Sequence, residues 1–216
     1  YGTFECRTVD TLLAFGEKGR VYSVPVAALP GARGDGQPIT SLIELEPGTA
    51  LSHYFAGPAE AILLLASSGA YGFLARVGDM VSRLRAGKAF LTCAEGETIC
   101  QPAVVAHPGG SQPQPSATQV ACVSVGGRVL TFDIGEIRYM AHGGRGLMLL
   151  DLEAKDSLAG VAAYQRSIRI TGIGRGGKPR EETLEIRSLN NAKGARARKG
   201  RSADFGFRPQ RVQRIE

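Results

Sequence analysis

The chain has 216 residues, 43% of them hydrophobic, and a net charge of +6. That length suits one large domain or two small ones, and single all-β units often reach it. Its longest apolar run, residues 61–66, is far too short to span a bilayer as a helix.

The chain opens at Tyr1 with no charged leader ahead of an apolar run, so it reads as a piece of a longer protein and no signal peptide is argued from it. Residues 1–10 are read as the remnant of an earlier repeat. The first full unit begins with "TLLAFGEKGRVYSVPVAALP" at 11–30. Two apolar runs flank a short polar turn ending in Gly19, and Val21-Tyr22-Ser23-Val24 alternates as a strand does. The spacing predicts a β-hairpin, with glycine supplying the positive φ of a tight turn. A basic, glycine-rich bend, "GARGDGQPI" at 31–39, then enters a strand-like run in which Glu44 and Glu46 alternate as a solvated face.

The same order returns. Residues 61–80, "AILLLASSGAYGFLARVGDM", give a hairpin with its turn glycine at Gly69, and 83–91, "RLRAGKAFL", give the bend. "VGDMVSRLRAG" has weak 3.6-residue periodicity and is read as a loop with one short turn. Residues 101–118 are a long connection, rich in Pro, Gly, Ser and Gln in its second half and expected to be mobile at its tip. Residues 119–138, "QVACVSVGGRVLTFDIGEIR", give a third hairpin turning at Gly127, followed by the bend "AHGGRGLML" at 141–149. The bend glycines Gly36, Gly87 and Gly146 follow the turn glycines by 17, 18 and 19 residues, so phase is kept. A fourth, degenerate copy has "SIRITGIGRGGKPREETLEIRSL" as hairpin and "KGARARKGR" at 193–201 as bend. The units fall at about 11–50, 61–100, 119–155 and 161–207. A period near 50 residues suits four-stranded propeller blades, and phase kept over three copies favours radial blades over a sandwich or barrel of hairpins.

Within the fourth hairpin, Gly172 to Lys178 matches a phosphate-binding loop until Pro179, where Ser or Thr should hold a magnesium ion. The repeat puts these residues in a hairpin turn instead. Cys6, Cys93, Cys100 and Cys122 have no C-x-x-C spacing and are read as reduced, half-buried thiols. His53, His107 and His142 lie in unrelated contexts with no metal-ligand spacing. No catalytic, metal or cofactor-binding residue is assigned.

Charge is unevenly spread. Residues 1–160 hold 12 Lys/Arg against 15 Asp/Glu, a balance of −3, whereas 161–216 hold 14 against 5, a balance of +9. Such asymmetry points to a polyanion. The turns carry Lys18, Arg20 and Arg128, and the bends carry Arg33, Arg83, Arg85, Lys88 and Arg145. Arg76 lies at the end of a strand. The fourth unit adds Arg175, Lys178 and Arg180 at its turn and Arg196, Arg198 and Lys199 at its bend. Repetition about an axis would array these cations along one rim, suited to a phosphate backbone. Tyr and Phe sit within apolar runs and read as core, which favours duplex over single-strand binding. A propeller scaffold binding proteins through its rim or central opening is the reading from another class.

Residues 11–39, 63–91 and 126–137 together resemble the C-terminal domain of bacterial type IIA topoisomerase A subunits. The likeness is greater to topoisomerase IV than to gyrase, whose signature box, Q-R-R-G-G-K-G, has only degenerate versions here in "ARGDGQP" at 32–38 and "LRAGKAF" at 84–90. The resemblance implies an all-β β-pinwheel: one propeller-like disc of four-stranded blades with exchanged strands, about four in this chain. It implies an outer rim that binds and bends duplex DNA and presents the transported segment. The alternative within the family is gyrase-like wrapping. Strand passage in such an enzyme uses ATP, magnesium and an active-site tyrosine that lie elsewhere, so none of Tyr1, Tyr22, Tyr54, Tyr71, Tyr139 or Tyr164 takes that role. Further implications are a monomeric domain, joined to the rest of its polypeptide and through it to the B subunit, with no small-molecule substrate. The location implied is cytoplasmic and nucleoid-associated, with peripheral membrane association of the parent enzyme. The family has five or six blades, so four copies leave ring closure open.

Overall fold

The computed structural model describes residues 3–31, 36–107 and 117–215. It is all-β apart from short helical turns, and the β-pinwheel expectation holds. Blade I is built on the hairpin β1 (Thr11–Gly16) and β2 (Arg20–Pro25), with β3 (Leu51–Gly57) along β1. Blade II is built on β4 (Ile62–Ala66) and β5 (Tyr71–Arg76). Its edge partners are β7 (Ala103–Ala106) along β4 and β10 (Leu147–Met148) along β5, while β6 (Lys88–Ala89) leaves to pair with β2 of blade I. Blade III joins β8 (Gln119–Ser124) and β9 (Arg128–Asp133) to β11 (Leu158–Tyr164) and β14 (Arg201–Ser202). Sheet IV has three strands, in the order β13 (Pro179–Glu185), β12 (Ser167–Gly174), β15 (Phe207–Ile215).

The outermost strand of each four-stranded blade therefore comes from the bend of the following unit. β6 pairs with β2, β10 with β5 and β14 with β9. Three bend glycines make this exchange sterically possible. Gly87, Gly146 and Gly200 have φ of +59°, +81° and +68°, and a Cβ on each would lie 2.3, 2.2 and 2.5 Å from the carbonyl oxygens of Val21, Gly72 and Val129. Only a residue without Cβ allows that approach at a left-handed φ. The N–H groups beyond them bond the hairpin turns: Leu91 to Gly19, Leu149 to Ala70 and Ala203 to Gly127.

The fourth unit is the hairpin its sequence predicts, and residues 172–178 run from the end of β12 through its turn, where Gly176 and Gly177 take positive φ. No helix follows to present its amino end to a phosphate, so the phosphate-loop reading is dropped. "VGDM" forms one helical turn, α1 (Val77–Met80); a second, α2 (Ile186–Asn191), takes the matching place in unit four.

Three expectations are corrected. The left-handed residue of the second turn is Ala70 (φ +62°), not Gly69, because the position preceding the second hairpin strand takes that conformation in each of the first three units. Residues 101–118 are not all connection, since 103–106 pair with β4; the tip expected to be mobile, 108–116, lies outside the described residues. Glu44 and Glu46 lie in coil. After the first bend the chain takes a 3-10 turn (Ile39–Ser41), and Ile39, Leu42 and Leu45 pack on Ala14, Tyr22, Val24 and Ile43.

Central blades are buried on both faces. Leu63 and Leu65 of β4 pack towards blade I with Leu13, Phe15 and Phe73, while Leu64 and Ala66 pack towards blade III with Val120 and Cys122. Ala121 and Val123 of β8 face Ile168 and Ile170 of β12. This is why "ILLLA" and "VACV" are continuous apolar runs. β12 alternates, burying Ile168 and Ile170 and exposing Arg169, so it is buried on one face only. Cys6 is exposed and Cys93 half-buried; burial pushes the buried Cys100 thiol up to about 12 and raises Cys122 as well, so these two behave as small hydrophobes.

Candidate nucleic-acid interface

The exchange decides where the cations go. β3, β11 and β15 flank a central opening of about 1060 Å³, so β6, β10, β14 and β13 form the outer edge. Each of the first three outer strands is entered through a bend carrying Lys or Arg. Blade I is edged by Arg83, Arg85 and Lys88, blade II by Arg145, and blade III by Arg196, Arg198, Lys199 and Arg201.

The expected site residues divide into those held by the fold and those left for a ligand. Arg20 ion-pairs with Glu46 at 3.5 Å and donates to the carbonyl of Ala86 at 3.0 Å, clamping the first hairpin to the bend beyond it. Lys88 donates to the Asp79 carbonyl and lies 5.3 Å from the Phe90 ring centroid. Arg128 pairs with Glu153. Arg145 pairs with Glu97 at 3.1 Å and stacks on Tyr71, 4.3 Å from the ring centroid. Arg196 donates to the carbonyls of Glu136 and Met148 at 3.1 and 2.5 Å. Arg76 stacks on Tyr139, whose hydroxyl donates to Asp79. Burial and the neighbouring Asp79 carboxylate raise the Tyr139 phenol above its ordinary value.

Lys18, Arg83, Arg175, Lys178, Arg180, Arg198 and Lys199 are exposed, and among the described residues no ion pair or side-chain hydrogen bond holds them. Arg85 is exposed and donates to the Ser41 carbonyl at 2.7 Å. Arg33 lies outside the described residues. Sequence reasoning missed Arg201, although "Gly200-Arg201" repeats "Gly87-Lys88" at the start of an exchanged strand, as the bend alignment could have shown. It also missed Arg138, Arg187 and Lys193, all exposed.

The rim is not uniformly basic. The outer strand of sheet IV, β13, carries Glu181, Glu182 and Glu185 after Arg180, so its one cation lies at the end next to the turn. The basic tail also divides: Arg208 and Arg211 belong to β15 and line the central opening, with no acidic residue beside them in its lining.

His53 lines the same opening. Desolvation lowers its pKa, opposed by a hydrogen bond with the Ile99 carbonyl at 3.3 Å and reinforced by the charge of Arg211. The fold therefore favours neutral imidazole. Its contribution to stability is fully present above the ordinary value near 6.5 and is lost as pH falls from there through the lower folded value. Urea midpoints are expected to fall between about pH 7 and pH 5, and His53→Gln should flatten that slope. An unchanged slope in the variant would place the titration elsewhere.

No described helix is long and apolar enough to cross a membrane. The family model "DNA gyrase C-terminal domain, beta-propeller" matches residues 10–47 and 118–164. The A subunit of DNA topoisomerase 4 from Neisseria gonorrhoeae is 39% identical over 182 residues, which are 84% of this chain and 23% of that protein. The Pseudomonas aeruginosa protein of the same name is 28% identical over 204 residues, 91% of this chain and 25% of its own length. The chain thus spans about a quarter of these curated relatives. Among solved structures, the E. coli ParC C-terminal domain superposes with a TM-score of 0.79 at 26% identity, covering 95% of this chain and 81% of that one. A DNA gyrase A C-terminal domain superposes at 0.68 and 16% identity over 94% of this chain and 64% of its own, a likeness of fold.

Proposed function

The chain belongs to the family of C-terminal domains of type IIA topoisomerase A subunits, and from that premise we propose that it binds duplex DNA along its outer edge, without sequence preference, and bends it. The observation that carries this reading is the strand exchange. It brings an exposed basic bend to the outer edge of three successive blades. Lys and Arg so placed neutralise phosphates and release counterions, which adds affinity and reads no bases. A duplex that follows a curved row of cations must bend, at a cost of a few kcal/mol that the added contacts offset.

In this reading the domain serves a topoisomerase IV, presenting the transported duplex to an enzyme whose ATP and magnesium chemistry lies in other parts of the assembly. Its partners are DNA, the rest of its own polypeptide and, through that, the B subunit. Similarity to A subunits of topoisomerase IV, at 39% identity for one of them, supports this over a gyrase-like wrapping role.

Relaxing a nicked plasmid with ligase in the presence of the chain tests the choice. Binding and bending should shift mobility at low salt and leave the linking number of the sealed product nearly unchanged. A marked linking-number change would mean wrapping. Absence of any shift at low salt, with capture of a protein instead, would support the scaffold reading.

A further inference from the structure

The outer edge of blade I differs from the others at the tip of its bend. Leu84 is 70% exposed there, between Arg83 and Arg85. Counting three residues back from the exchange glycines Gly87, Gly146 and Gly200, the matching positions are Leu84, Gly143 and Ala197, so one blade alone carries a large apolar side chain at the tip.

A single exposed leucine is ordinary on a protein surface. This one is set apart by how firmly its backbone is held. Ser23 and Ser82 bond reciprocally, with the Ser23 hydroxyl donating to the Ser82 carbonyl at 2.9 Å and the Ser82 N–H donating to the Ser23 hydroxyl at 2.8 Å. The Leu84 N–H donates to the Ser82 hydroxyl at 3.2 Å, and the Leu84 carbonyl accepts from Gly87 at 3.0 Å. Arg85 is tied to the chain beside it twice, its carbonyl accepting from Glu44 at 2.9 Å and its guanidinium donating to Ser41 at 2.7 Å. The bend is thus braced on both sides of an apolar tip that packs against nothing to bury it.

We propose that Leu84 is a wedge that enters between base steps of the bound duplex while Arg83 and Arg85 hold the flanking phosphates. This rests on the DNA-binding reading above and adds a local kink where the duplex meets blade I. Apolar side chains inserted from the minor groove unstack a step and kink the duplex away from them, and adjacent arginines are drawn by that groove's negative potential. A braced backbone suits the role because a mobile tip would yield before the base stack does. Pyrimidine–purine steps, TA above all, unstack most easily, so the wedge selects them within a binding mode that is otherwise blind to sequence.

Permanganate oxidation of unstacked thymines on a duplex with several TA steps is the test. The unsubstituted chain should raise reactivity at some of those steps several-fold. Leu84→Ala should return it to the level of free DNA, while weakening binding by only about 3- to 10-fold and leaving its salt dependence unchanged. Leu84→Phe should restore reactivity, whereas Arg83→Glu with Arg85→Glu should lower the salt dependence itself. Equal reactivity with the unsubstituted chain and the Leu84→Ala variant, or no enhancement by a chain that does bind, would overturn the wedge. If the unsubstituted chain binds no duplex even at low salt, the DNA reading fails first and the wedge with it.

Discussion

Reversing four unpaired or accessible cations of the outer edge, Arg83→Glu, Arg85→Glu, Arg198→Glu and Lys199→Glu, is expected to cut duplex affinity at least about 100-fold at 50 mM salt and to lower the slope of log K against log salt by roughly 3 to 4. These four are chosen because they edge blades I and III and their side chains support little of the fold. Arg20, Arg128, Arg145 and Arg196 are poor choices. They hold the bends through Glu46, Glu153, Glu97 and the Glu136 and Met148 carbonyls, so their loss would mix misfolding with weaker binding. The control separates place from charge. Arg208→Glu with Arg211→Glu alters net charge as much as the Arg198 and Lys199 pair does, but in the central opening. It should leave the slope nearly intact. Equal losses from the two pairs would mean that diffuse positive charge, and not the outer edge, attracts DNA.

Gly146→Ala is expected to destabilise the fold severely, and Gly36→Ala mildly. Both glycines have left-handed φ, +81° and +77°, so both substitutions carry a strain of about 1–2 kcal/mol. They differ in surroundings. A Cβ at Gly146 would lie 2.2 Å from the Gly72 carbonyl oxygen, while at Gly36 nothing lies within 4 Å. To relieve the clash β10 must leave β5, taking with it the hydrogen bond from Leu149 to Ala70 and disturbing the buried Leu149 and Leu150. We expect a further loss of at least about 2 kcal/mol, a large share of the 5–15 kcal/mol typical of a domain. Urea unfolding of the two variants measures the difference. Matching midpoints would show that strand exchange contributes little to stability.

Much of the fold is legible in the sequence because its repeats are phased. The turn and bend glycines mark the hairpins and the exchanged strands, and the fourth copy is found through them despite its degenerate sequence. What is not legible is which blade a bend serves. Gly87 lies in unit two by sequence and beside the outer strand of blade I by hydrogen bonding, since exchange is a tertiary choice without a local signal. The coil at Glu44 and Glu46 escapes prediction for the same reason: a run with strand character forms a strand only where tertiary context supplies a pairing partner. The contrast between "ILLLA" and "SIRIT" does foretell burial, because two-sided burial removes alternation and one-sided burial restores it.

The candidate site is legible in residue type and less so in accessibility. Lys and Arg at turns and bends are visible along the chain. Nothing local tells Arg145, held by Glu97 and Tyr71, from the exposed Arg83. The acidic β13 edge is present in "PREETLE", but only its placement as an outer strand shows that it interrupts the row of cations.

Energy transfer between dyes at the ends of a duplex of about 40 base pairs, far shorter than the persistence length of about 150 base pairs, is the decisive measurement. With saturating chain at low salt the ends should draw together, and they should return to their free separation as salt is raised or when the four edge cations are reversed. A duplex that is bound with its ends no closer than in free DNA, or one bent equally by the reversed variant, would contradict a DNA-bending outer edge.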